Sequence, residues 1–363
     1  MQPKPHFAHL DLLKGIAIFL VVCGHIFVYG SNHLGGHDDF VLWRVLEGVH
    51  MPLFVMLSGY LALSTRHELR ALPSFLRSKA KRLLVPLLFI PPLYLLCFDE
   101  SFKLAISQTK KEGYWFTFVL FGIMLAFFLF GWINSWFNKR RRISVELALG
   151  AISVLVVVLI DGVLHAVKDS FYERLLSFDQ FNWLYKYFLL GYFVRRIPRL
   201  EALLRSDHIV AVLTLSFIGL MLLPYQGITF PESWSCYHGL IGLNLEALQT
   251  LTGVLTLYAL GLRACDLGID NRGTRLLNYL GRESLPIYLT HYFFLPVLPM
   301  MMPFLLGLPN PAAAFSWELL FAFVGSTWVL LLTLGTIRVV KLSPTLAMLL
   351  YGEPLKRHTN KQR

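Results

Sequence analysis

The regular alternation of apolar stretches with short basic ones constrains this chain more than any other feature. Apolar windows long enough, or nearly long enough, to cross a hydrocarbon layer about 30 Å thick occur at about 15–30, 41–63, 83–98, 115–137, 143–160, 182–194, 208–223, 245–262, 281–304 and 317–340. With a cytoplasmic N-terminus, 24 of the 33 Lys and Arg residues fall in inside loops, 5 in outside loops and 4 within or at the ends of spans. One missed or invented span would reverse every later loop and destroy this bias. The pattern predicts an all-α polytopic membrane helix bundle of about ten transmembrane helices with both termini cytoplasmic. Residues 1–345 are expected to form one integral-membrane domain, and 346–363 a short basic cytoplasmic tail.

Charge composition supports that class. Only 15% of the 363 residues are charged, against about 25% in ordinary soluble chains. The formal net charge of +11 would fit nucleic-acid binding if it covered one soluble face, but it is divided among loops between apolar windows, so no nucleic acid is expected as a partner. Cys23, Cys97, Cys236 and Cys265 share no C-x-x-C spacing, and neither a disulfide framework nor a metal site is legible. The first apolar run lacks a small-residue cleavage site and reads as an uncleaved span.

Three histidines fall inside windows. In LDLLKGIAIFLVVCGH, ten residues separate Lys14 from His25, and a rise of about 1.5 Å per residue puts His25 near the bilayer middle. His50 and His291 come out at similar depth from spans two and nine. An ionisable group at that depth is a functional-site hypothesis by default, although each histidine taken singly also fits a structural role bonded to a neighbouring helix. A common depth points to a shared polar cavity, to which Glu47, one turn from His50, and Tyr288, near His291, would contribute. Glu47 or Asp11 could orient a histidine acting as general base. Asp11 and Lys14, three apart, share one helix face and also read as an interfacial ion pair.

Arg77, Lys79, Lys81 and Arg82 stand against the start of the third window, and Arg282 with Glu283 at the inner mouth of the ninth. Orientation alone explains basic residues there, yet the same cations suit a phosphate-rich cytosolic donor. Trp183, Trp234 and Tyr237 suit stacking on a sugar and the membrane interface equally. No G-x-S-x-G, H-E-x-x-H or P-loop motif is present, so hydrolase, metalloprotease and nucleotidase chemistry find no support.

With these residues identified, the chain resembles the acyltransferase-3 family of bacterial integral-membrane O-acyltransferases, in particular its fucose 4-O-acetylase-like branch. The likeness rests on Asp11, Leu13, Lys14 and His25 in the first span, HMPLFVMLSGY in the second, FLLGYFVRR in the sixth and LGRESLPIYLTH in the ninth. The resemblance implies ten transmembrane helices in the bacterial cytoplasmic membrane. It also implies transfer of an acyl group, usually acetyl from acetyl-CoA, to a hydroxyl of a carbohydrate, glycolipid or related envelope acceptor. Acyl-CoA would be a donor substrate, with no bound cofactor. By the same resemblance His25 is the catalytic base, Lys14 serves catalysis or donor handling, and Lys79 and Arg82 occupy an R-x-x-R donor element, with Arg282 nearby. Lys14 and Lys79 depart from the arginine form and lack its bidentate fork. A transporter or flippase of a small polar or glycolipid substrate is the rival expectation, because a polar cavity among Pro-interrupted helices also describes a carrier.

Overall fold

The computed structural model describes residues 7–30, 41–65, 67–98, 111–166, 171–222, 245–308 and 311–354. Among them the regular structure is entirely helical. The elements are α1 (Ala8–Gly30), α2 (Val41–Leu61), α3 (Leu72–Leu83), α4 (Ile90–Phe98), α5 (Trp115–Phe137), α6 (Ile143–Ala166), α7 (Phe171–Leu176), α8 (Phe178–Arg196), α9 (Pro198–Leu204), α10 (Asp207–Leu222), α11 (Leu245–Asp266), α12 (Arg272–Arg282), α13 (Ser284–Thr290), α14 (Met301–Leu306), α15 (Pro311–Val340) and α16 (Pro344–Tyr351). The segment 224–244, expected as an outside connection and carrying Trp234 and Tyr237, lies outside the described residues, as does the end of the tail, 355–363.

Six of these helices, α1, α2, α5, α6, α11 and α15, are long and apolar enough to cross a membrane. The count rises to eight if two bent pairs each make one span: Leu69–Leu83 with Pro86–Phe98, bent by 47°, and α9 with α10, bent by 71°. The chain is a polytopic helical membrane protein. Two of the ten expected windows, the sixth and the ninth, are built differently from a simple span. The sixth lies in α8, which carries Asp179, Lys186, Arg195 and Arg196 and gains its place by packing: Leu184, Tyr185, Tyr187 and Phe188 are buried. The ninth is broken into α12, α13 and a 3₁₀ turn at His291–Phe294.

Helices α1 and α2 form the centre. α1 packs against α2, α11, α12, α13 and α15, while α2 packs against α1, α8 and α11. Two glycine crossings bring backbones into contact. A Cβ on Gly15 of α1 would collide with the Leu277 carbonyl of α12, and one on Gly281 with the Asp11 carbonyl. The α2–α8 crossing repeats the device, with Gly59 against the Phe188 carbonyl and Gly191 against that of Met56. Small residues are what allow helices to approach so closely in a membrane. Apolar side chains of α6 such as Leu155 and Val163, and of α15 such as Phe323 and Leu331, are exposed, as lipid-facing surfaces require.

The expected tail boundary at 345/346 falls within α16. Ser343 caps this helix by accepting from the Leu346 amide, and Tyr351 is buried. Gly352, in the left-handed region at φ 64°, lies against the backbone of Lys81 and Arg82, which joins the chain's C-terminal helix to the end of α3.

Gly59→Ala and Gly191→Ala are expected to lower the thermal midpoint of the detergent-solubilised protein by several degrees. Gly162→Ala, which meets nothing within 4 Å, should leave it within a degree or raise it through helix propensity, by about 1 kcal/mol at most. Size-exclusion thermal-shift curves of the three variants check this.

Candidate active site

The break in the ninth window creates the site. Pro286 lies in the first turn of α13, where its missing N–H is tolerated. At the other end Leu295 is extended, at φ −67° and ψ 123°, as the residue before Pro296 must be. The helix cannot continue past His291–Phe294, so the last turn of α13 has carbonyls in need of donors. The His291 ring supplies one: Nδ1 lies 3.0 Å from the Ile287 carbonyl and 2.8 Å from that of Tyr288.

Those two carbonyls fix the proton. A carbonyl only accepts, so Nδ1 of His291 carries hydrogen, and in the neutral ring Nε2 is an acceptor. His25 Nδ1 lies 2.8 Å from that Nε2 and must donate to it. Neutral His25 therefore presents Nε2 as its lone-pair nitrogen. The two rings stack at 5.0 Å with an interplanar angle of 15°. His291 is fully buried and His25 half-buried. A basic imidazole nitrogen, oriented through its other nitrogen by a buried partner, is the arrangement a general base requires.

Aromatic residues surround the pair. Tyr292 sits 4.1 Å from the His291 ring, 5.0 Å from His25, 5.7 Å from Tyr29 and 4.8 Å from Tyr114, centre to centre. Tyr288 and Tyr292 both donate their hydroxyls to the Gly113 carbonyl, Tyr292 at 3.0 Å. The Phe116 amide donates to the Tyr288 oxygen at 3.2 Å. Gly113 is at φ 88°, and a Cβ there would overlap the Tyr292 hydroxyl. The turn before α5 is thus pinned to the broken segment. Of these residues only Tyr288 stood out in the sequence; Tyr29, Tyr94, Tyr114 and Tyr292 come from four different apolar windows or their edges and share no spacing.

The other sequence-derived residues divide into two groups. Lys14 and Asp11 form an ion pair at 3.9 Å, and the charge of Arg82 acts on Lys14. Arg282 follows Gly281, which packs on the Asp11 carbonyl, so these four residues gather around the first turns of α1. Lys79 lies one turn back on α3, above the Phe75 ring and beside a shallow depression of about 230 Å³ lined also by Thr65, Ser74 and Ser78. Next to this group, Lys341 bonds Glu283 and Glu353, both at 2.6 Å. Burial disfavours its charge, but the two carboxylates outweigh that and hold its pKa above the ordinary lysine value. His50 and Glu47 lie one turn apart on α2. His50 is buried and bonds the Leu46 carbonyl of its own helix, and Glu47 is exposed.

His25 lies five residues short of the end of α1 at Gly30, about 8 Å from that end and about 25 Å from Ala8. The pair is nearer the Gly30 end than the helix centre, because α1 begins well before Lys14. Lys14 and His25, eleven residues apart, are separated by about three full turns and so share one face of α1. Buried Ile18, Val21 and Val22 lie between them.

The chain is thus a multi-pass helical membrane protein with a hydrogen-bonded imidazole pair set among tyrosines. The acyltransferase-domain profile matches residues 7–335, and the chain belongs to that family, acyltransferase-3. Nodulation protein NolL of Sinorhizobium fredii (strain NBRC 101917 / NGR234) is 31% identical, over 40% of this chain and 43% of that protein. The match thus spans less than half of that relative's length. No solved structure matches the chain. Among the described residues no group of three His, Cys, Asp or Glu side chains is placed to hold a metal ion.

The tautomers can be read directly. In ¹⁵N spectra of histidine-labelled protein, the neutral His25 ring is expected with hydrogen on Nδ1 and a bare Nε2, and a predominantly Nε2–H ring at His25 would contradict the hydrogen-bond assignment.

Proposed function

We propose that the protein is an O-acyltransferase, most simply an O-acetyltransferase, that moves an acyl group from cytosolic acyl-CoA to a hydroxyl of an envelope carbohydrate or glycolipid. The observation that carries this reading is the 2.8 Å contact between His25 Nδ1 and His291 Nε2, in a chain of the acyltransferase-3 family. His25 Nε2 takes the proton from the acceptor hydroxyl as its oxygen attacks the thioester carbonyl, and the thiolate leaves with that proton. His291 holds the His25 ring in the reactive tautomer.

The basic residues support a donor entering at the other end of α1. Lys14, Arg82 and Arg282 converge there, with Lys79 one turn away, and together they match the charge of CoA phosphates. The shared face of Lys14 and His25 then gives the acyl arm an apolar route past Ile18, Val21 and Val22 to the histidine pair. In the orientation set by the positive-inside bias, with the N-terminus in the bacterial cytoplasm, the acceptor meets His25 close to the outer surface of the cytoplasmic membrane. A sugar hydroxyl as acceptor agrees with the resemblance of the motifs to the fucose 4-O-acetylase-like branch.

His25→Ala is expected to reduce acyl transfer by about 10²–10⁴-fold, the range of a lost general base. The measurement is acetyl-CoA-dependent thiol release by the purified protein, together with the gain of acetyl mass on envelope glycans of expressing cells. Undiminished transfer by His25→Ala would sink the assignment. Movement of glycan across the membrane without any thiol release would favour the carrier reading.

A further inference from the structure

The tetrahedral intermediate of acyl transfer carries a negative oxygen. In a site walled by aromatic rings that charge needs a hydrogen-bond donor already in place. The donors around the histidine pair are largely committed. His291 donates to Ile287 and Tyr288 carbonyls, and its other nitrogen receives the His25 hydrogen. Tyr288 and Tyr292 both donate to the Gly113 carbonyl.

Tyr114 is different. It is 2% exposed, and its hydroxyl has no hydrogen-bond partner among the described residues. A buried phenol left unsatisfied destabilises the fold, and such groups are rare enough to require an explanation. Its neighbours hold it in place. The Tyr114 amide bonds the Lys111 carbonyl at 3.0 Å, directly after the Gly113 carbonyl that Tyr288 and Tyr292 hold. Its ring contacts Tyr94 at 5.9 Å and Tyr292 at 4.8 Å, and Tyr292 in turn contacts both His25 and His291. The ring that carries the orphan hydroxyl therefore lies one ring away from the base, with Tyr292 between them.

We infer that Tyr114 is a further catalytic residue, whose hydroxyl donates a hydrogen bond to the thioester carbonyl oxygen as it becomes the oxyanion. The inference rests on the acyl-transfer reading given above. As the acceptor oxygen bonds to the carbonyl carbon, its proton passes to His25 Nε2 and the carbonyl π pair moves onto oxygen, where Tyr114 stabilises it. Collapse re-forms the carbonyl, breaks the carbon–sulfur bond and expels the thiolate, which recovers the proton from His25. The products are the ester and free CoA thiol, and Tyr114 keeps its own proton throughout. The half-buried His25 and Tyr29 mark the side from which the acceptor hydroxyl arrives, opposite the donor route along α1. Burial of the Tyr114 hydroxyl excludes water, which strengthens a hydrogen bond made to a developing charge.

An unsatisfied group kept for catalysis has a distinctive signature, because removing it should cost activity without costing stability. The test compares wild type, Tyr114→Phe and His25→Ala as full-length proteins. Incorporation of radiolabelled acetyl from acetyl-CoA is measured in permeabilised cells of the source organism lacking its own copy, so that the native acceptor is present. Thermal midpoints are measured on the same variants in detergent. Tyr114→Phe is expected to lower the maximal rate by about 100-fold, to leave the apparent KM for acetyl-CoA within about twofold, and to have a thermal midpoint equal to or above wild type. Wild-type activity in Tyr114→Phe, with His25→Ala inactive, overturns the role of Tyr114 and leaves the acyl-transfer reading intact. A parallel fall in activity and thermal midpoint overturns it as well, since the hydroxyl would then be structural. Equal incorporation by wild type and His25→Ala overturns the underlying reading and this inference with it.

Discussion

One hydrogen bond between two imidazoles, His25 of α1 and His291 at the broken segment, sets the requirements that the surrounding structure meets. It needs a ring whose far nitrogen is tied to carbonyls, and those carbonyls become available where a helix ends inside the bundle. Proline placement ends that helix: Pro286 starts α13 and Pro296 forces Leu295 extended. It also needs α1 close beside that segment, which Gly15 and Gly281 permit through backbone contact. Any side chain at either glycine would push α12, and the histidine that follows it, away from α1. Irregular backbone at such a depth is tolerated where protein buries it, and the tyrosines bound to Gly113 do so here.

The same helix links the two ends of the proposed reaction. Lys14 and His25 lie on one face because eleven residues make about three turns, and buried Ile18, Val21 and Val22 make the interval between them apolar. In the proposed reaction this would separate the charged and apolar parts of an acyl-CoA along one helix, with phosphates at the basic end and the thioester at the histidine end. The C-terminal helix closes the arrangement. Thr290, immediately before His291, donates to the Tyr351 hydroxyl at 3.1 Å, while Lys341 joins Glu283 to Glu353 and Gly352 touches the backbone of Arg82. Donor-side and base-side elements therefore share a support that lies beyond the residues matched by the family profile.

Much of this was legible in the sequence, for identifiable reasons. The membrane class followed from apolar length and charge alternation, which depend on composition over twenty residues and survive local irregularity. His25, His291 and Tyr288 stood out because polar groups deep in apolar windows are costly. What the sequence could not show is pairing between windows. His50 had the same apparent claim as His291, but its ring turns back to Leu46, and no periodic signal distinguishes the two. Tyr114 was missed because a tyrosine at a window edge is an ordinary interfacial residue, and Tyr292 because nothing in its own window marks it; only contacts brought together from separate elements set them apart. The helicity of 182–194 was legible, but the charges on α8 hid the fact that protein, rather than lipid, surrounds much of it.

The central claim is that His25 acts as a base through the nitrogen that His291 leaves unprotonated. The pH dependence of kcat/KM for acyl transfer tests it most directly. The account predicts a rate that climbs with pH on a limb of unit slope and reaches a plateau once the His25 ring is neutral, with that limb absent from the residual activity of His25→Ala. A profile that is flat through the imidazole range, or one whose acidic limb persists unchanged in His25→Ala, would contradict it.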